Sequence, residues 1–416
     1  MHDVPSIDAP RNAVLVAVQL PGVGEVEFSE SLTELGRLAK TLGLTVKGAP
    51  ITQRREALDP GAVLGTGKRE ELARHADESG AQLILVDHEL TPSQARNLSK
   101  ACGEADVMDR TAVILEIFRR HAHSRAAKAQ VEMVRLKYLA PRLREQGKGK
   151  GDRERGGIGG KGAGESALEL DRRKIRDRIA ELAEELAAIE VERRTRRARR
   201  QDLARAALVG YTNAGKSTLM RGLTGSDVLV ADKLFATLDT TVRALEPPAK
   251  PRVLVSDTVG FIEKLPHDLV ESFKSTLDEA LEASLLVHVV DASDRNFERQ
   301  LRVTEEVLDE IGAGDVPRLL VFNKIDRVED EAGVSGSLLA RWPGALCLSA
   351  KRPDDVARLR ERLIGVFAAD MVECEIRVPY SQQARRAEIF AACQVLEERY
   401  EDDGVIFLVK APRSFA

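Results

Sequence analysis

The chain has 416 residues, and its 63 lysines and arginines against 67 aspartates and glutamates give a formal net charge of −4. With 43% hydrophobic and 31% charged residues, the composition excludes a wholly disordered chain, and the near balance of charge gives no sign of a polybasic nucleic-acid coat or membrane binder. At about 100 to 200 residues per domain, the length predicts roughly two to four domains.

No targeting segment is visible in the sequence. The start, MHDVPSIDAPRN, has acids and prolines where a secretory signal has a basic and then an apolar stretch. The longest apolar runs, such as 285–290, are too short to span a bilayer. We therefore expect a cytoplasmic protein without an integral membrane segment. Four scattered cysteines without C-x-x-C spacing predict reduced thiols and no cysteine-based metal site.

Residues 1–110 alternate short β-branched runs with helical periodicity, which predicts a small N-terminal α/β domain with a mostly parallel sheet. Strands are expected at 14–20 and 83–86. The string GTGK at 65–68 resembles part of a phosphate loop, but Arg69 stands where a hydroxyl is needed. We interpret it as a turn before a helix, with a minor phosphate contact as the alternative.

Residues 111–204 have helical patterning and predict a linker domain. One helix is expected from Thr111 to Leu143 with a stop at Pro141, and a second from Leu168 to about Ala198. The second helix has apolar residues at alternating spacings of four and three, which indicates the seam of an antiparallel helical hairpin: Ile175, Ile179, Leu182, Leu186 and Ile189.

A glycine-rich basic loop, residues 147–164, joins the two predicted helices. Nine of its 18 residues are glycine, so it cannot hold a helix. Glycine lets an RNA backbone approach closely, and basic side chains would neutralise its phosphates. A solvated connector is the alternative, as it is for the six arginines within residues 193–200. The side chains expected to contact RNA are Lys148, Lys150, Arg153, Arg155 and Lys161.

Alternating strands and helices return in residues 205–367 and predict a second α/β domain. A strand at 207–209 leads directly into GYTNAGKST, which matches G-x-x-x-x-G-K-[ST] in its strand-to-helix setting. Backbone N–H groups would surround the phosphates at a helix N-terminus, Lys216 would neutralise their oxygens as a catalytic residue, and the Ser217 hydroxyl would ligate Mg²⁺. We expect nucleotide contacts from Gly210, Tyr211, Thr212, Asn213, Ala214, Gly215, Lys216, Ser217 and Thr218.

Two segments that follow later strands predict guanine specificity. The Asp326 carboxylate of NKID can accept hydrogen bonds from the ring N–H and the exocyclic amine of guanine, a donor pair that adenine lacks. Ser349 could brace Asp326, and a backbone N–H near it could contact the guanine carbonyl. The expected base contacts are Asn323, Lys324, Ile325, Asp326, Ser349, Ala350 and Lys351.

Two further segments are expected to respond to the γ-phosphate. In DTVG, Asp257 would hold Mg²⁺ through water, and the Gly260 N–H would meet the γ-phosphate as a catalytic group. Upstream, Thr237 would give Mg²⁺ its second hydroxyl ligand and act in catalysis, with Thr240 and Thr241 as competitors. The expected contacts are Phe235, Ala236, Thr237, Leu238, Asp239, Asp257, Thr258, Val259 and Gly260.

Phe261 stands where many GTPases carry a glutamine that orients the attacking water. A phenyl ring cannot hydrogen-bond to water in that way, so the backbone or a partner must position it. We therefore expect slow turnover by the protein alone.

Together these motifs resemble the HflX family of ribosome-associated GTPases over nearly the whole chain. Beside the nucleotide motifs, the resemblance is carried by LGTGKREEL, DRTAVILEIF, GGIGGKGAGES with LELDRR, LFATLDTT, DTVGFIEKLPHDLVESFKSTLDEALEA and VVDAS. Ala163, Ser166 and Ala167 depart from the usual proline, threonine and glutamine of the glycine loop, and Thr240 from a usual proline.

The resemblance implies a P-loop GTPase domain at 205–367, preceded by the α/β domain at 1–110 and the hairpin linker at 111–204. A small C-terminal β-α-β unit is expected at 368–416, with its helix from Ala384 to Glu398. The overall fold class is α/β with a small C-terminal α+β unit.

The leading hypothesis is a monomeric, Mg²⁺-dependent GTP hydrolase whose GTP state binds the large ribosomal subunit, with ribosome-stimulated hydrolysis. The resemblance further implies the splitting or rescue of stalled or idle ribosomes under stress. A GTPase acting on ribosomal precursors and a nucleotide-regulated protein scaffold are the alternatives.

Overall fold

The computed structural model describes residues 11–146, 167–198, 204–225, 234–235, 237–238, 240–266, 269, 279–369 and 371–412. The chain divides into two compact units, residues 1–189 and 190–416. None of the helices within these described ranges is long and apolar enough to cross a membrane.

The first unit contains a parallel sheet. Its central strand β1 is a continuous apolar run, buried along nearly its whole length, as expected for a parallel strand covered on both faces. β1 pairs with β2 near its start, with β3 near its end and with β4 on its other side, and β5 follows β4. The strands are β1 (Asn12–Gln19), β2 (Thr45–Val46), β3 (Ile51–Arg54), β4 (Leu83–Val86) and β5 (Asp106–Asp109).

Four helices accompany this sheet, and local sequence sets where they begin. The second begins at Thr66 directly after Gly65, so the GTGK string, which was predicted to be a turn before a helix, already forms the first turn of the helix. The third has Pro92 in its first turn and a capping box between Thr91 and Gln94. The helices are α1 (Glu25–Thr41), α2 (Thr66–Ser79), α3 (Pro92–Ala101) and α4 (Arg110–His121).

The single helix predicted from Thr111 to Leu143 is wrong, because the chain breaks after His121 and a new helix, α5 (Arg125–Gln146), begins. The Ser124 hydroxyl accepts a hydrogen bond from the Ala127 N–H and caps the new helix. Every residue of α4 from 110 to 118 is buried. α4 therefore belongs to the core of the α/β domain, whereas the boundary predicted after residue 110 separates nearly the whole helix from that domain.

The stop predicted at Pro141 is also wrong, because Pro141 lies inside α5 and does not end it. The residues on either side of the proline are anchored to the buried carboxylate of Asp109. Tyr138 donates to Asp109 Oδ1 at 2.8 Å, and Arg142 donates to Oδ2 at 2.7 Å. The same carboxylate accepts from the backbone N–H groups of Leu90 and Ala112. These tertiary contacts favour continuation of the helix past Pro141, although proline has no backbone N–H to donate.

The helical hairpin consists of α5 and α6 (Ala167–Ala198). Two ion pairs, Arg125 with Glu185 and Arg178 with Glu132, run in opposite order along the two helices and show that they are antiparallel. None of the five predicted seam residues of α6 is fully exposed, and Leu182 is buried. The glycine-rich loop, with all five side chains expected to contact RNA, lies outside the described residues.

The second unit contains a six-stranded sheet in the order β11-β10-β9-β6-β8-β7. All its pairings are parallel except that of the edge strand β7 with β8. The strands are β6 (Ala204–Gly210), β7 (Thr241–Ala244), β8 (Val253–Asp257), β9 (Leu285–Asp291), β10 (Arg318–Asn323) and β11 (Leu346–Cys347). The carboxyl ends of its parallel strands lie at one edge, where α/β sheets bind ligands.

Helices cover both faces of this sheet. On one face Leu208 and Val287 share a core with Leu219 and Leu359. On the other face Val209, Leu286, Phe261 and Leu308 pack together. The helices that the structure describes over their full length in this domain are α7 (Lys216–Thr224), α8 (Phe297–Glu310), α9 (Glu331–Arg341) and α10 (Pro353–Ala369), with a 3-10 turn at Ile325–Arg327.

The C-terminal region is a three-stranded antiparallel sheet with one helix, in the order β12-β14-β13. The predicted helix from Ala384 to Glu398 is wrong in its second half, because residues 394–400 form a strand. They pair with β14 and bury part of Val395 in the local core, which outweighs the helix propensity of Leu-Glu-Glu-Arg. The boundary predicted after 367 falls in the last turn of α10. The elements are β12 (Met371–Pro379), α11 (Gln383–Ala392), β13 (Gln394–Tyr400) and β14 (Gly404–Pro412).

Candidate nucleotide-binding site

The loop between β6 and α7 has the glycines that its course requires. Gly210 and Gly215 have φ of 145° and 101°, in the region that favours glycine. A Cβ on Gly210 would lie 2.2 Å from the Val289 carbonyl oxygen, and one on Gly215 would lie 2.2 Å from Asn323 Nδ2. The loop is therefore packed against β9 and β10 and opens onto the N-terminus of α7, a setting that favours anions.

Lys216, the first residue of α7, is buried. Its Nζ donates to the carbonyl oxygens of Gly210 and Tyr211 at 3.0 and 2.9 Å. Burial lowers its pKa to about 8, with Lys324 acting in the same direction and Asp257 against it. An ammonium that is desolvated to this extent is stabilised by a further negative charge, such as a phosphate oxygen.

Three side-chain oxygens meet beside Lys216. Ser217 Oγ lies 2.8 Å from both Thr237 Oγ1 and Asp257 Oδ2, and Thr237 Oγ1 lies 3.1 Å from the same carboxylate oxygen. Thr237, and not Thr240 or Thr241, is therefore the threonine at this position. Thr241 begins β7 and pairs with Asp257 through the backbone.

Asp257 is fully buried, and its Oδ1 has no hydrogen-bond partner among the described residues. Burial raises the pKa of this carboxyl group, although Lys216 and the hydroxyls of Ser217 and Thr237 oppose the shift. Two hydroxyls and this carboxylate form a hard oxygen donor set, which fits Mg²⁺.

The DTVGF segment lies directly on the phosphate loop. The Phe261 N–H donates to the Gly210 carbonyl at 3.1 Å, and the Thr212 N–H donates to the Phe261 carbonyl at 2.7 Å. A Cβ on Gly260 would lie 2.9 Å from Thr212 Cα and 3.0 Å from Lys216 Nζ. The Phe261 ring is 2% exposed and packs in the apolar core, so it cannot orient a water molecule.

The NKID segment joins the phosphate loop to β11. Asn323 donates to the Ala214 carbonyl at 2.8 Å and accepts from the Ala350 N–H at 2.9 Å. Lys324 Nζ lies 2.6 Å from the Asn213 carbonyl and 2.7 Å from Asp291. These bonds fix the loop and both segments that were expected to contact the base.

Asp326 is exposed and accepts a hydrogen bond from the Ser349 side chain, as expected. Partial burial alone would raise the pKa of this carboxyl group, but the Ser349 hydrogen bond and the charges of Lys351 and Arg327 outweigh that effect and lower it. Asp326 thus remains an ionised acceptor facing solvent, which suits the two N–H donors of guanine.

The structure brings together most of the residues that the motifs identified. Ala236 and Asp239 lie outside the described residues. The side chain of Tyr211 reaches away from the loop, and its hydroxyl accepts from the Glu263 N–H at 2.8 Å. Sequence reasoning missed this role of Tyr211, and it missed Asp291, although Asp291 ends the apolar strand β9 as Asp257 ends β8.

Three family models match successive parts of the chain. Residues 29–119 match the model described as GTP-binding GTPase N-terminal, and residues 121–200 match GTP-binding GTPase Middle Region. Residues 205–324 match the model described as 50S ribosome-binding GTPase. The first match ends within α4, in agreement with the place of that helix in the α/β domain.

Individual proteins resemble the chain over nearly its full length. GTPase HflX of Gluconacetobacter diazotrophicus is 51% identical, covering 96% of this chain and 95% of its own. GTPase HflX of Escherichia coli is 38% identical, covering 96% and 93%. A solved GTP-binding protein of Sulfolobus solfataricus in complex with GDP is 23% identical, with a TM-score of 0.46 over 85% of this chain and 99% of that protein.

The site has the phosphate loop, the buried lysine and the exposed carboxylate that suit GTP. The HflX relatives resemble this chain in sequence identity and align with it over nearly their full length. This chain belongs to the HflX family of GTPases.

Proposed function

We propose that the GTP-bound form of this protein binds the large ribosomal subunit and that hydrolysis, accelerated there, permits release. The observation that carries the proposal is the match of residues 205–324 to a family described as a 50S ribosome-binding GTPase. The buried Phe261 supports it, because a GTPase without a side chain to orient water gains most from a partner that completes the site.

In this proposal the residues of the site have separate roles. The backbone of residues 210–218 and the side chain of Lys216 hold the phosphates. The Gly260 N–H contacts the γ-phosphate. Asp326 selects guanine, while Asn323, Lys324 and Ser349 hold the base-binding segments in place. The residues of Asn323–Asp326 and Ser349–Lys351 therefore form the base pocket, and Phe235–Asp239 with Asp257–Gly260 form the part that responds to the γ-phosphate.

Ser217 and Thr237 would hold Mg²⁺, with Asp257 acting through water. Bound there, the ion would neutralise charge on the phosphate oxygens. The Ser217 and Thr237 hydroxyls donate their protons to Asp257 and keep their oxygen lone pairs for the ion, so the carboxylate orients both ligands.

The physiological role that we propose is the splitting or rescue of stalled or idle ribosomes. The sequence between α5 and α6 supports it, because residues 147–164 combine nine glycines with five basic side chains. Lys148, Lys150, Arg153, Arg155 and Lys161 would then lie along ribosomal RNA.

The test is single-turnover GTP hydrolysis and subunit binding with purified large subunits. We expect large subunits to raise the hydrolysis rate at least tenfold and to bind the form loaded with a non-hydrolysable GTP analogue more tightly than the GDP form. Stimulation by precursor particles, without stimulation by mature large subunits, would instead indicate an assembly GTPase. Neither binding nor stimulation would refute the proposal. Light scattering with intact ribosomes then tests splitting separately.

A further inference from the structure

The chain beyond Gly260 is held against the phosphate loop by three hydrogen bonds. Two are made by the backbone of Phe261 with Gly210 and Thr212. The third uses a side chain, the Tyr211 hydroxyl, which accepts from the Glu263 N–H at 2.8 Å. Tyr211 is the second residue of the loop and is buried. Residues 210–212 of the phosphate loop thus hydrogen-bond to the chain at Phe261 and at Glu263.

A second element holds the same segment from outside the loop. The carboxylate of Glu263 forms an ion pair with Arg299 in α8, and both side chains are largely buried. On the near side of Gly260, the Thr258 hydroxyl donates to the Leu208 carbonyl at 2.7 Å. The turn from 258 to 263 is therefore fixed at both ends, between β6 and α8.

These contacts matter for catalysis because they occupy the polar side chains of the segment: the Thr258 hydroxyl is bonded to Leu208, and the Glu263 carboxylate is paired with Arg299. Phe261 is turned into the core and Gly260 lies beside Lys216, so the Gly260 N–H is the backbone group that we assign to the γ-phosphate. Gly260 packs too closely on Thr212 to accept a side chain. A donor held in place before the reaction stabilises developing charge without the cost of reorganisation.

We infer that Tyr211 is a positioning residue for GTP hydrolysis. Its hydroxyl fixes the chain at Glu263 so that the Gly260 N–H lies where charge develops on the γ-phosphate. The inference rests on the proposed contact of Gly260 with the γ-phosphate. Tyr211 itself does not touch the reacting atoms.

The test is Tyr211→Phe in the full chain, which removes the hydroxyl and keeps the ring. Affinity is measured for GDP and for GDP with aluminium fluoride, a transition-state mimic, together with single-turnover GTP hydrolysis without ribosomes. We expect hydrolysis and affinity for the mimic to fall about 3- to 10-fold, the effect of one neutral hydrogen bond, while GDP affinity stays within about twofold.

Tyr380→Phe is the matched control, because the Tyr380 hydroxyl donates to the Glu401 carbonyl at 3.0 Å in the C-terminal sheet. It should leave all three measurements unchanged. Arg299→Met loosens the same segment from α8 without altering the phosphate loop, and it should act in the same direction as Tyr211→Phe.

These measurements distinguish a failure of the Tyr211 role from a failure of the Gly260 contact on which it rests. An equal loss of GDP affinity in Tyr211→Phe would show that the hydroxyl only supports the loop, and unchanged hydrolysis would show that it does nothing; either outcome overturns the inference. Gly260→Ala tests the underlying contact. Wild-type hydrolysis by that variant would refute the contact of Gly260 with the γ-phosphate itself.

Discussion

Asp326 differs from the buried carboxylate of Asp257 in the same site because its side chain is exposed while remaining held by Ser349. Its pKa lies below the ordinary value, so it is a full negative charge at neutral pH. Charge and position together make it the group that distinguishes guanine from bases that lack two adjacent N–H donors.

Replacing this carboxylate by an amide should change the base that the site accepts. Asp326→Asn removes the charge from both hydrogen bonds and replaces one acceptor oxygen by an N–H₂ donor, which at about 1.5 kcal/mol per bond lowers GTP affinity about 100-fold. Xanthine has a carbonyl where guanine has its amine, so the amide N–H₂ gains a partner there. Nucleotide competition assays should show tighter binding of xanthosine than of guanosine triphosphate, and unchanged preference would contradict the assignment.

At the scale of elements, the central strand β9 of the GTPase sheet contains an unusual residue, His288. The side chain is buried, and its Nε2 has no hydrogen-bond partner in the described part of the chain. Burial lowers its pKa to about 3, with smaller contributions from Arg318 and Lys216. The folded protein therefore keeps this imidazole neutral.

This histidine should make the GTPase domain sensitive to acid. Its pKa rises to about 6.5 on unfolding, so below that pH the unfolded chain takes up a proton that the folded chain refuses. The free energy of unfolding therefore decreases as the pH falls below about 6.5. At about 1.36 kcal/mol per pH unit, the loss reaches about 2 kcal/mol at pH 5. In denaturant titrations at pH 7 and pH 5, His288→Leu should lose less stability than the wild type.

The elements also show what the sequence can predict. The phosphate loop, DTVG and NKID each follow a short apolar strand, so local pattern was enough to place them at one sheet edge. Pro141 and the strand 394–400 could not be placed, because contacts with Asp109 and with β14 outweigh local propensity. The role of Tyr211 depends on a hydrogen bond across 52 residues of chain, which no local pattern reveals.

At the scale of the whole molecule, the net charge of −4 conceals its distribution. Residues 147–164 carry five basic and two acidic side chains, and six arginines follow within 193–200. Acidic residues in other segments offset them. Overall balance is therefore compatible with a strongly basic region at residues 147–164, which we propose to contact RNA.

Neutralising that region should change how binding depends on salt. Removal of one phosphate-binding charge reduces the slope of log affinity against log salt by about 0.7 to 0.9, so four substitutions by glutamine should reduce it by about 3. The altered residues are Lys148, Lys150, Arg153 and Arg155. The charge-matched control alters four exposed basic residues elsewhere, Lys40, Lys100, Arg302 and Arg362, and should keep the wild-type slope. Equal slopes for the wild type and the loop variant in large-subunit binding would favour the scaffold alternative.

The Asp109 carboxylate has a consequence for where this protein can be divided. Four groups from three stretches of chain converge on it, and two of them, Tyr138 and Arg142, come from the helix after the α/β domain. A fragment cut at the family boundary near residue 120 would keep the buried charge and discard half of its partners. We therefore expect an N-terminal fragment to need the residues through Arg142 in order to fold, and α5 to unfold together with the sheet.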